Sequence, residues 1–87
     1  MSYALRIAGD AIVDLRQLDA SLQEDVLDEL DKIADSPTRL RTDSLGEAVH
    51  DFDCRPQESA YIVFLRLHVD HLARVLTVLS IYAVSGR

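Results

Sequence analysis

At 87 residues, 48% of them hydrophobic and 28% charged, the chain has room for one core and is too apolar for a disordered tail. Its net charge of −6 argues against broad attraction to nucleic acid, and its single cysteine, Cys54, excludes an internal disulfide and fits a reducing cytoplasm. Arg66, His68, Asp70 and His71 break the longest apolar run before it reaches membrane-spanning length, and MSYALRIAGD lacks the basic and apolar regions of a secretory signal. The expectation is one cytoplasmic domain over residues 1–87, with no membrane contact.

Tyr3 to Ala8 alternates weakly and predicts a short first strand, broken by Gly9–Asp10, with Asp10 placed to cap the following turn. Ile12, Leu15 and Leu18 share one face of a helix over 11–18. A second helix is predicted to start at Ser21, where Glu24 three residues on completes a capping box. Leu22, Val26, Leu30 and Ile33 supply its apolar stripe, and Ser36–Pro37 ends it. Thr38 to Glu47 reads as a loop. Ala48 to Cys54 alternates as a strand with Ala48, His50, Phe52 and Cys54 on one face, and Arg55 to Glu58 reads as a turn.

From Ser59 to Val84 the chain is rich in β-branched and aromatic residues, with no Gly or Pro, and predicts a long hairpin tipped at Asp70–His71. Tyr61, Val63, Leu65 and Leu67 alternate with Ala60, Ile62 and Phe64, and the second group is followed by Arg66 and His68. In the last strand Val75, Leu79 and Ile81 alternate with Leu76, Val78 and Tyr82. Two helices cover one face of such a sheet, so an apolar patch is expected on the other, with Ile62, Phe64, Leu76 and Val78 as candidates for partner binding. Which residues share a face across the hairpin depends on the turn length, and both arrangements stay open.

Charge is divided sharply. Residues 1–36 hold nine acidic and three basic side chains, which is the whole of the excess, while residues 37–87 hold six of each. The acidic face of the second helix (Glu24, Asp25, Asp28, Glu29, Asp31, Asp35) reads as a solvated surface or as a receiver for a basic partner segment. The sheet half offers Arg55, Arg66, Arg74 and Arg87 as fixed charge, His50, His68 and His71 for proton transfer, and Tyr82 as an orienting group. Those are residue types that acid–base chemistry at a phosphate requires. Arg66 stands out because it interrupts an apolar strand, and it must reach water or pair with Asp51 or Asp53. His68-Val69-Asp70-His71, with His50 and Cys54, has zinc-type donors but no paired cysteine spacing, so the expectation is no metal and no cofactor.

The run DAIVDLRQLDASLQEDVLDELDKIADSP resembles the helical hairpin of RelE/ParE-type bacterial toxins, through Asp14, Leu15 and Leu18, then Gln23, Leu27, Leu30, Ile33 and Ala34, and Pro37. YIVFLRL and RVLTVLSIY are similar to that family's last two strands. The resemblance implies an α+β fold in the order β-α-α-β-β-β, a helical hairpin packed on an antiparallel sheet. It implies a toxin of a toxin–antitoxin module that binds a cognate antitoxin and a cellular target: the ribosome and its messenger RNA for RelE-like members, DNA gyrase for ParE-like ones. Arg55, Arg66, Arg74 and Tyr82 are the candidates for target binding. Where the family's Tyr-Arg-Val motif falls this chain has Ala60–Tyr61–Ile62, and it ends on Ile81–Tyr82–Ala83–Val84–Ser85–Gly86–Arg87. The alternative is a non-toxic relative that keeps the fold for homodimerisation or regulatory protein binding.

Overall fold

A computed structural model of the chain describes residues 3–36, 46–55 and 60–85. Six elements follow one another: β1 (Ala4–Ile7), α1 (Gly9–Arg16), α2 (Ala20–Asp35), β2 (Glu47–Cys54), β3 (Tyr61–Asp70) and β4 (Val75–Ser85). The four strands form one sheet in the order β1-β4-β3-β2. The expected α+β fold is therefore present. β2, β3 and β4 are antiparallel as expected, whereas β1 joins the far side of β4 in parallel, Ala4 to Ile7 lying against Val75 to Val78. The helical connection after β1 carries the chain away from the sheet, so β1 and β4 are free to run the same way.

The core lies between the helices and one face of the sheet. Leu22, Val26, Leu30 and Ala34 of α2, with Ala11 of α1, meet Val63, Leu65, Leu67 and Val69 of β3 and Leu76, Val78 and Ile81 of β4, and all are buried. The expected stripe of α2 is thus the packed one. Ile33, partly buried, flanks it.

Both helix starts differ from the sequence reading. α1 begins after Ala8, with no side-chain cap, so Asp10 lies in its first turn, favourable to the helix dipole but not capping it. Ser21 does not cap α2; Asp19 does, accepting from Leu22 N at 2.8 Å and from the Ser21 hydroxyl at 3.0 Å. Gln23 closes the same junction by donating to the Leu18 carbonyl at 2.7 Å. The two donors hold the Asp19 carboxyl below its ordinary value, the Leu22 amide foremost. The stability they supply is present above the unfolded-state pKa of 3.8 and is lost as pH falls through the lower folded-state value. Asp19→Ala is expected to lower Tm by about 4–8 °C at neutral pH, and Asp19→Ser much less, because serine restores the acceptor. Equal losses in thermal melts would contradict the cap.

The hairpin turn is longer than the sequence suggested. His71 to Arg74 connect β3 to β4, with the Ala73 amide held by the Asp70 carboxylate at 2.9 Å. Arg74 has φ +57° where the chain re-enters β4, a left-handed position that a side chain adopts at a cost. The His71 amide donates to the Gly46 carbonyl at 2.8 Å and ties the tip to the start of β2. A second irregularity decides the faces. Arg66 lies opposite Ser80 and Leu67 opposite Val78, so Leu79 is an extra residue in β4, a β-bulge. The bulge resets the alternation, which lets Val78 and Ile81 both face the core.

Candidate functional site

The register running back from the hairpin turn, with Leu76 opposite Val69 and Val78 opposite Leu67, puts the expected partner-binding residues on opposite faces. Leu76 and Val78 are fully buried beneath the helices, which corrects their expected place on an open face; Ile62 and Phe64 are half-buried on the other face. There the pairing brings Phe64 opposite Tyr82 and Arg66 opposite both Asp51 and Ser80. The rings of Phe64 and Tyr82 are stacked, 5.1 Å between centroids and 18° between planes. Arg66 Nε donates to Asp51 Oδ1 at 2.9 Å, one of the two pairings anticipated for a cation in an apolar strand. That contact pushes the guanidinium pKa up, so Arg66 is charged at any physiological pH. Together Asp51, Phe64, Arg66, Ser80 and Tyr82 line a shallow cleft of about 380 Å³.

Its chemistry is that of a platform: two stacked rings with one face open to solvent through Tyr82, which is 56% exposed, beside a cation whose carboxylate partner is itself exposed. Such a platform can take a flat, anionic ligand, stacking its ring and exchanging Asp51 for a phosphate at Arg66. Arg55 lies at the same end of the sheet and pairs loosely with Asp53 at 3.8 Å. Arg74 lies at the opposite end, in the hairpin tip, so the four residues named for target binding do not form one cluster. Arg74→Gly is expected to raise Tm by a few degrees through relief of the left-handed strain, and to leave any activity of the platform unchanged. A large loss of activity at unchanged stability would put Arg74 back in the site.

The histidines are dispersed. His68 Nε2 lies 3.4 Å from Glu47 on the open face, His50 faces the helix side beside Phe52, and His71 Nδ1 pairs with the Tyr3 hydroxyl at 2.8 Å. Among the described residues no three His, Cys, Asp or Glu side chains converge as metal ligands. The separation is physical: His50 and His68 belong to opposite faces of neighbouring strands. Cys54, half-buried, has its thiol pKa raised by burial first and then by Glu29, Asp53 and Asp25. It is expected to react with iodoacetamide at pH 8 severalfold more slowly than in urea-unfolded protein; equal rates would place it in water. Arg87 lies outside the described residues. Among the described residues no helix is long and apolar enough to cross a membrane.

One residue with a structural task at the sheet was not assigned one by the sequence. Asp14 Oδ2 accepts from the Ile81 amide at 3.2 Å. The signal was present, because Asp14 falls on the α1 face that carries Ala11, Leu15 and Leu18, a costly place for a carboxylate without a partner.

No family model and no curated protein matches the chain. Solved structures do match. A double arginine-to-alanine variant of the Escherichia coli toxin RelE in the free state superimposes with a TM-score of 0.72 at 19% identity, over 94% of this chain and 83% of the other. The toxin–antitoxin complex RelBE of E. coli matches at TM-score 0.67 and 19% identity, over 93% and 95% of the respective chains. The RelBE2 toxin–antitoxin complex of Mycobacterium tuberculosis matches at 0.65 and 21%, over 94% and 98%. The chain therefore has the RelE-like toxin fold, spanning almost its whole length.

Proposed function

We propose that this protein is the toxin component of a toxin–antitoxin pair, held by a cognate antitoxin and acting on the translation machinery through the open face of its sheet. The observation that carries the reading is the match of 94% of the chain to a free RelE toxin at a TM-score of 0.72. Two of the matched structures are complexes with an antitoxin, which supports a protein partner here.

The platform of Phe64, Tyr82 and Arg66 supports RNA over DNA gyrase as the target. Stacking suits an unpaired base, and bases are unpaired in messenger RNA. One cation beside the rings provides for a single phosphate, in keeping with a protein whose net charge is negative. His68 pairs with Glu47 and His71 with Tyr3, and what the stacked rings beside Arg66 support is binding of an RNA strand.

The test is to map transcript ends in cells expressing the chain and, in parallel, to assay gyrase supercoiling with the purified protein. Translation arrest with intact gyrase activity supports the reading, with or without new transcript ends. Gyrase inhibition overturns the target. A chain that arrests nothing and forms a stable homodimer favours the non-toxic alternative, in which exposed Val49, Tyr82 and Val84 of the open face meet a second copy.

A further inference from the structure

The open face of the sheet is divided by charge. Arg6 of β1 lies opposite Thr77 of β4, Thr77 opposite His68 of β3, and His68 opposite Val49 of β2. The next row holds Ser80, Arg66 and Asp51, and the one after it Tyr82, Phe64 and Asp53. Opposite residues share a face, so all of these stand on the side away from the helices. The carboxylates of this face are Glu47, Asp51 and Asp53 on β2, and Asp70 at the end of β3, where it holds the Ala73 amide. β4 brings no carboxylate to it. β1 brings Arg6, which is exposed and in no ion pair among the described residues.

Arg66 and His68 each have a carboxylate of β2 for a partner, whereas Arg6 stands at the opposite edge of the sheet from β2. Phe64 covers the face of Tyr82 that is turned to β3. The free face of that ring therefore looks to the other side of β4, the side on which β1 lies. Between the ring and Arg6, β4 presents the hydroxyls of Ser80 and Thr77, both half-buried. From the spacing of strands and the rise along them, the Cα atoms of Arg6 and Arg66 are roughly 12 Å apart, one on either side of β4.

We infer that the open face of β4 is a track for single-stranded RNA, along which Arg6 of β1 holds a second phosphate beyond the one at Arg66. A base stacks on the free face of Tyr82, and the sugars pass over the Ser80 and Thr77 hydroxyls. The phosphates on either side of that path meet the two guanidinium groups. The carboxylates of β2 repel a polyanion from the other half of the face, as the acidic helices do from the other side of the sheet, so the strand is confined to β4 and β1. The inference rests on the reading that the platform binds RNA. It adds a contact outside the platform, and the two fail separately because Arg6 and Tyr82 report on different parts of the strand.

The probe is a six-nucleotide oligoadenylate, titrated into isotopically labelled full-length protein and followed by amide NMR over a series of salt concentrations. A hexaglutamate peptide controls for charge without bases. The RNA is expected to shift the Arg6, Thr77, Ser80 and Tyr82 amides. Arg6→Gln is expected to weaken binding about fivefold at about 0.1 M salt and to make the slope of log affinity against log salt shallower by about 0.7, the loss of one phosphate contact on a single strand. Arg6→Lys is expected to keep most of that slope. Arg16→Gln removes the same charge from the exposed last turn of α1 and is expected to leave affinity and slope unchanged. Neither glutamine variant is expected to change Tm, since both side chains are exposed. RNA that shifts Tyr82 yet binds Arg6→Gln with the wild-type slope overturns the track and leaves the platform standing. Equal losses in Arg6→Gln and Arg16→Gln would reduce Arg6 to net charge and overturn it, as would hexaglutamate that shifts Arg6 as strongly as the RNA does. RNA that shifts nothing on the open face overturns track and platform together.

Discussion

Tyr82→Ala is expected to reduce growth arrest by about 5- to 150-fold in the inducer needed, with Tm shifted by no more than a few degrees. The ring is 56% exposed and stacks on Phe64 from the open side, so its removal costs little packing. What it removes is one surface for a base, and a base stacked on an aromatic side chain is worth about 1–3 kcal/mol. Arg66→Ala is expected to act in the same direction, since its pair with Asp51 is exposed and adds little to the fold while its charge faces the platform. Asp51→Asn is the informative counterpart. It releases Arg66 from its carboxylate and is expected to strengthen toxicity. A Tyr82→Ala and Arg66→Ala chain, soluble and folded, with full potency would remove the platform from the mechanism.

The largest effect on stability is expected from Leu67→Ala. Leu67 is fully buried in β3, one of the two central strands, beside the bulge and beneath the helices. Truncating a buried leucine costs the transfer of its methyl groups and the cavity left behind, about 2–5 kcal/mol. A domain of this size holds about 5–15 kcal/mol in all, so much of its margin disappears and Tm falls by roughly 10–30 °C. Leu67→Met, which nearly keeps the volume, is expected to cost under about 1.5 kcal/mol. Thermal melts of the two variants check this, and a Leu67→Ala loss as small as that of Leu67→Met would contradict the assignment of Leu67 to the core.

Most of the element order was legible because periodicity reports burial. The stripe of Leu22, Val26 and Leu30 and the alternation of Ala48, His50, Phe52 and Cys54 both describe faces that the fold keeps. The helix caps were less legible, because Asp19 and Ser21 are both good caps two residues apart and only the path of the chain from Leu18 decides between them. The faces of β4 were not legible at all. One extra residue, Leu79, reverses the alternation, and nothing in TVLSIY marks it as a bulge. Because of it the stack of Phe64 on Tyr82 was not anticipated, while Leu76 and Val78 were expected beside Ile62 and Phe64 because the turn length that sets their face was open. Parallel pairing of β1 was equally hidden, since four residues that alternate weakly carry no direction.

Arg66 shows how a single misfit residue can be read further than a pattern. A cation within an apolar strand needs water or a carboxylate on a neighbouring strand, and Asp51 is that carboxylate. Asp14 obeys the same logic from the other side of the fold. It sits among apolar residues of α1 because an orphan amide of β4 lies beyond it.

Growth of a bacterial host after tightly controlled induction of this chain alone tests the toxin reading most directly, with soluble expression and folding checked in the same cells. Arrest that is relieved by Tyr82→Ala at equal soluble level is the expected result. Undisturbed growth of a host filled with soluble, folded protein, in which translation proceeds at its normal rate, would contradict it.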